Sequence, residues 1–205
     1  MKKYLIITII VVAATFGLEI LASIYRRRYY NQLIQAISTK NYEEFDRLSK
    51  KKTVRFLIPK YDMEYLKLNI VLEKGSVTEI RDQYRHVVNS CTNIRQKADI
   101  LMNAFDYYVS KEDKEMAREY AKEITALGND ELSNYVKRLY DIKINKSAKL
   151  LDEMLEELNS GYVRNIWQKE MLISQAYELK GEKELQEKYE KLSRQHFEEE
   201  MKQRG

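Results

Sequence analysis

Two histidines, His86 and His196, and one cysteine, Cys91, are the side chains of this chain best suited to hold a metal or attack a substrate near neutral pH. Neither histidine stands in an HExxH or ExxH pattern, the spacings that put ligands on one helix face, so no zinc or di-iron site is expected. Cys91 lies in VVNSCTN with no histidine nearby in sequence. A catalytic thiol there would have to recruit its base through the fold; the alternative is a small buried residue near a helix C-terminus. Acidic neighbours such as Glu156-Glu157 and the run Glu198 to Glu200 arise by chance in a chain with 32 Asp and Glu. Residues one apart also point different ways on a helix, so these pairs give no acid–base arrangement. The six glycines, at positions 17, 75, 128, 161, 181 and 205, are too scattered for a GxGxxG or Walker loop, which excludes phosphate-loop nucleotide enzymes. The expectation is a protein with no catalytic residue, no cofactor and no metal.

The elements that would position any site are helices. Six Gly and one Pro in 205 residues, with 33% of the chain charged, leave few of the turn residues that punctuate sheets. A single cysteine excludes an internal disulfide framework. Polar breaks interrupt the helical patterning at STKN (38–41), EKGS (73–76), SKED (110–113), INKS (144–147) and KGE (180–182). Shortly after each break an apolar residue recurs: Phe45, Ile80, Met116, Leu151 and Leu185. Tyr84, Tyr120, Leu155 and Tyr189 follow one helical turn later on the same face, whereas the first unit has Ser49 there. Before each break runs another amphipathic stretch, so five helix–turn–helix units are expected. A helix pair cannot bury its apolar stripe alone, and stacking such pairs builds a continuous core.

The pattern resembles the tetratricopeptide repeat over roughly residues 29–199. KNYEEFDRL at 40–48 is similar to that family's turn and second helix, and Tyr29, Leu33 and Ala36 fall where its first helix carries packing residues. Leu68 and Ile80 stand where the family keeps small residues, which implies wider helix spacing; a non-repetitive helical bundle is the alternative. The resemblance implies that first helices line a concave groove, with candidate partner-binding residues Tyr65 and Asn69, then Leu101, Phe105 and Tyr108, then Tyr140. A register slip of one residue would make these core instead. Tyrosine, of which the chain has 16, suits a binding surface because it offers large contact area with few rotamers to freeze. The charge-dense final helix, 183–202, reads as a capping helix or as an interaction tail.

The N-terminal stretch from Tyr4 to Tyr25 carries one charge, Glu19, and as a helix would reach roughly 33 Å, against about 30 Å for a hydrocarbon core. Thr15-Phe16-Gly17 is a poor signal-cleavage site, and Lys2-Lys3 and Arg26-Arg27-Arg28 bracket the run. The expected organisation is therefore an all-α protein. A transmembrane anchor with a short basic N-terminus occupies 1–25, a basic juxtamembrane first repeat 26–60, further repeats 61–199 and a charged tail 200–205. Residues 26–60 hold ten Lys/Arg against three Asp/Glu, whereas 61–205 hold 24 against 28. The local excess suggests Arg26, Arg27 and Arg28 at anionic lipid, in preference to nucleic acid, which would meet a broader basic face. The positive-inside rule places the repeats in the cytoplasm of a single-pass membrane protein, although a short MKK start is also found on exported chains. The function expected is a membrane-anchored scaffold that binds a protein or peptide. The alternatives are an oligomerising structural protein and an enzyme whose site is assembled across repeats.

Overall fold

A chain so poor in glycine and proline has few places where a helix must stop. The computed structural model describes the backbone of residues 2–161 and 165–204, with side-chain surroundings from residue 15 to 161 and from 165 to 203. Among the described residues there are eleven helices and no strand. They are α1 (Lys2–Ser38), α2 (Tyr42–Ser49), α3 (Lys52–Leu57), α4 (Lys60–Lys74), α5 (Val77–Ser90) and α6 (Ile94–Ser110). There follow α7 (Lys114–Thr125), α8 (Asp130–Lys143), α9 (Leu151–Asn159), α10 (Ile166–Lys180) and α11 (Lys183–Arg204).

The polar breaks act as caps. Asn41 and Asp113 accept the Glu44 and Met116 amides at 3.1 and 3.0 Å. Ser76 and Glu79 exchange hydrogen bonds as a capping box, the Ser76 amide donating to the Glu79 carboxylate at 2.8 Å. Each satisfies amides that the first helical turn leaves without partners. The preceding helices end in a shared way. Lys40, Glu112 and Gly181 take the left-handed conformation, and in each case the next amide reaches back to a carbonyl five residues earlier, at Ala36, Tyr108 and Tyr177. Glycine accepts that conformation at 181 without strain, whereas Lys40 and Glu112 adopt it against the preference of a side chain with Cβ. Pro59 ends α3 by holding Ile58 extended, and α4 starts directly after it.

The contacts divide the chain into two compact units, residues 1–97 and 98–205. In the first, Leu33 and Ala36 of α1, Phe45 and Leu48 of α2, Val54 of α3 and Met63, Leu66 and Ile70 of α4 form a core closed by Ile58. Tyr29, Tyr30, Ile37 and Tyr42 pack against it. Ile80 and Tyr84 of α5 are also buried. In the second unit, Tyr108 of α6 stacks on Tyr120 of α7 at 5.5 Å, and Leu151, Met154, Leu172 and Ile173 are buried farther along. Tyr177 of α10 stacks on Tyr189 of α11 at 5.6 Å.

One expectation is corrected. No helix among the described residues is long and apolar enough to cross a membrane, so the transmembrane anchor, the single-pass topology and the membrane location are not supported. The side chains of residues 4–14 in the expected span lie outside the described residues. Over the rest, α1 does not stop at the end of the expected span. It runs unbroken through Glu19 and Arg26-Arg27-Arg28 to Leu33 and Ala36, which belong to the first core. The triple arginine is the middle of a helix and not its flank. Phe16, Leu18, Ile20, Leu21 and Ile24 are exposed on α1.

Candidate functional site

The expected groove residues separate into three fates. Tyr65 and Asn69 sit one turn apart on α4 and both are exposed, Tyr65 at 38%. The Asn69 amide donates to the Tyr65 carbonyl at 3.1 Å, and the Tyr65 ring stacks on Tyr61 with centroids 6.1 Å apart. Charged groups from α1 adjoin this face. Burial pushes the Asp62 carboxyl up, and the nearby Arg26 guanidinium partly opposes it. Burial, then the neighbouring Asp62 and Tyr65, push the Tyr30 hydroxyl up. Arg26 thus faces a carboxylate of its own unit, while Arg27 and Arg28 are exposed.

Leu101, Phe105 and Tyr108 are buried to 2% exposure or less and offer a partner no surface. The register places this stripe of α6 inward, the outcome that a one-residue slip would produce. Tyr140 is half-buried, its hydroxyl donating to the Lys114 carbonyl at 3.3 Å. It lines a cleft of about 380 Å³ beside α7.

Periodicity gave no hint of an ionic cluster inside the second unit. Arg138 of α8 is 4% exposed and donates from Nη2 to Glu153 at 2.8 Å and Glu157 at 2.5 Å, both on α9. Lys169 of α10 also reaches Glu157. The Arg138 hydrogen bond, followed by that of Lys169, holds the Glu157 carboxyl down at about 2 against the opposing effect of burial. Nearby, Tyr135 is pushed up to about 12 by burial and then by Asp106. His196 of α11 meets buried Glu170 of α10, Nδ1 to Oε2 at 2.8 Å, a partner 26 residues away that no local motif would reveal. Two serines tie the same helices together: Ser174 donates to the Gln186 carbonyl at 3.0 Å and Ser193 to the Trp167 carbonyl at 2.8 Å.

The residues suited to chemistry are dispersed. Cys91 caps α5, its thiol 3.4 Å from the Val87 carbonyl, and burial pushes that thiol up despite Lys97. A raised thiol is a poor nucleophile. His86 is exposed on α5. Among the described residues no three His, Cys, Asp or Glu are placed to share a metal ion. Comparison of the chain with family models, curated proteins and solved structures finds no match in any of the three.

Proposed function

We propose that the protein is a helical-repeat scaffold that binds a segment of a partner protein and performs no reaction of its own. The observation that carries this reading is the α4 face, where Tyr61, Tyr65 and Asn69 remain at the surface beside Arg26 and Asp62. A tyrosine pair with an amide and charged groups nearby combines wide contact area with directional hydrogen bonding. The tetratricopeptide-like arrangement is part of the proposal. Its support is a set of turn-to-turn contacts close to one repeat apart: Lys40 to Glu73, 33 residues on, and Lys146 to Glu112, 34 residues back. In stacked repeats equivalent turns are neighbours, which is what such spacings require.

Replacing Tyr65 with a photo-crosslinking phenylalanine analogue in the producing cells tests the reading. A discrete adduct is expected at 65 and lost when Asn69→Ala is added. The same adducts from an analogue at Arg81, exposed on α5, or none at all, would overturn it. A self-associating scaffold is the second reading, favoured by the exposed apolar residues Leu18, Leu21 and Tyr25 of α1. Sedimentation of the full chain as a monomer over a wide concentration range would remove that reading.

A further inference from the structure

The cleft beside α7 differs in chemistry from the α4 face. Its floor is apolar, built from Ala121 of α7, Val136 of α8 and Leu150 just ahead of α9. Its walls are cationic: Arg118 and Lys122 stand one turn apart on α7, Lys137 lies on α8 and Lys149 closes the end. The one carboxylate in the lining, Asp141, is 3% exposed; its Oδ1 holds Lys149 at 3.0 Å and the Asn145 amide at 3.1 Å, while its buried Oδ2 has no hydrogen-bond partner among the described residues. Arg118, Lys122 and Lys137 are exposed and make no ion pair among the described residues. Elsewhere in this unit Lys146 pairs with Glu112 and Arg194 with Glu190, whereas Lys114 and Lys191 are also exposed and make no ion pair among the described residues. The lining itself sets four cations, Arg118, Lys122, Lys137 and Lys149, against the single carboxylate of Asp141.

We propose that this cleft docks a segment of a partner protein that carries a large apolar side chain flanked by carboxylates. The volume, about 380 Å³, lies at the low end of ligand sites and suits an anchoring side chain better than a whole cofactor. Covering the half-buried Ala121 and Leu150 favours an apolar anchor, and the cations of the lining favour acids on either side of it while disfavouring basic sequences. Nucleic acid fits less well, because base stacking needs exposed aromatic faces and the lining supplies only the half-buried Tyr140. The site is additional to the α4 face and belongs to the other unit, so either can fail alone.

The probe is a fluorescein-labelled peptide with a central Leu-Phe pair flanked by glutamates, titrated with the full chain and read by anisotropy. Binding is expected, and Lys122→Glu with Lys137→Glu should weaken it by about ten-fold or more. Ala121→Trp fills the floor at unchanged charge and should weaken it similarly, with helical circular dichroism confirming that each variant folds. Lys51→Glu with Lys52→Glu, the same charge change in the other unit, should leave it unaltered, as should Tyr65→Ala. The proposal is overturned if the peptide does not bind, or if the control pair weakens binding equally. It is also overturned if a peptide with Ser-Ser in place of Leu-Phe binds as well, or if a single-stranded oligonucleotide displaces the probe at lower concentration than unlabelled peptide.

Discussion

The cores of the two units are closed by different means. Between Leu33 and Ile70 the first unit uses aliphatic and aromatic side chains, and Gln83 and Ser90 are its only buried polar residues among those described. The second carries Arg138, Asp141, Glu170, Ser174 and Ser193 to below 9% exposure. The contrast teaches where each unit is vulnerable. An apolar core depends on volume and is indifferent to pH. A core that admits charges stands only while each keeps its partner, because a desolvated ion left alone costs far more than the pair gains. The first unit also has ionic contacts, but they lie outside the core, as with Lys40, Tyr42 and Glu73.

The largest test is Phe105→Ala. If Phe105 is core, as its complete burial indicates, stability should fall by about 3–5 kcal/mol. If it lined a groove, the loss would stay below about 1 kcal/mol. Trp167, the single tryptophan, sits on α10 against Phe197 in the same unit, so its fluorescence in a urea titration is a local reporter. Next is Arg138→Met. Glu153 and Glu157 keep partial solvent contact, so the cost should be about 2–3 kcal/mol rather than the full penalty of a sealed pair. A change that leaves the urea midpoint in place would mean that apolar packing alone closes this unit too.

The pH dependence sharpens the contrast further. Glu157 has a folded value of about 2 against an ordinary value of 4.5. A depressed carboxyl contributes stability that is complete above about 4.5 and is lost as pH falls toward about 2. Arg138 and Glu153 face it from α8 and α9, and Lys169 faces it from α10. Solvent screens a carboxylate this exposed, so the contribution is about 1–2 kcal/mol. Glu157→Gln should flatten the acid limb of the Trp167 midpoint between those pH values by that amount; an unchanged limb would show the cluster to be energetically silent. The smallest effect belongs to the first unit. Ser76→Ala removes the capping box of α5 and should cost about 1 kcal/mol by circular dichroism, with no displacement of Arg138-dependent behaviour.

The helices and their stops were legible in the sequence for local reasons. Scarce glycine and proline favour continuous helix, and Asn41, Ser76 and Asp113 cap from within the polar breaks read at 38–41, 73–76 and 110–113. Of the candidate groove, Tyr65 and Asn69 are on the surface, whereas Leu101, Phe105 and Tyr108 are buried. An apolar stripe on α6 has the same spacing whether it faces a partner or the interior, so pattern alone could not separate these outcomes. In the N-terminal run a count of apolar residues ends at the first arginine, whereas α1 continues past Arg28 into the core.

Local chemistry, then, determined the all-helical class, the caps and the positions where helices end, since each depends on residues within a few places of one another. Only tertiary structure decided which face of α6 is inside, that Arg138 of α8 and Lys169 of α10 meet at Glu157 of α9, and that His196 rests on Glu170. It also decided that Arg118, Lys122 and Lys137 surround one apolar floor. Those facts depend on side chains from different helices meeting, and a charge in sequence carries no mark of whether its partner will be water or an acid many residues away.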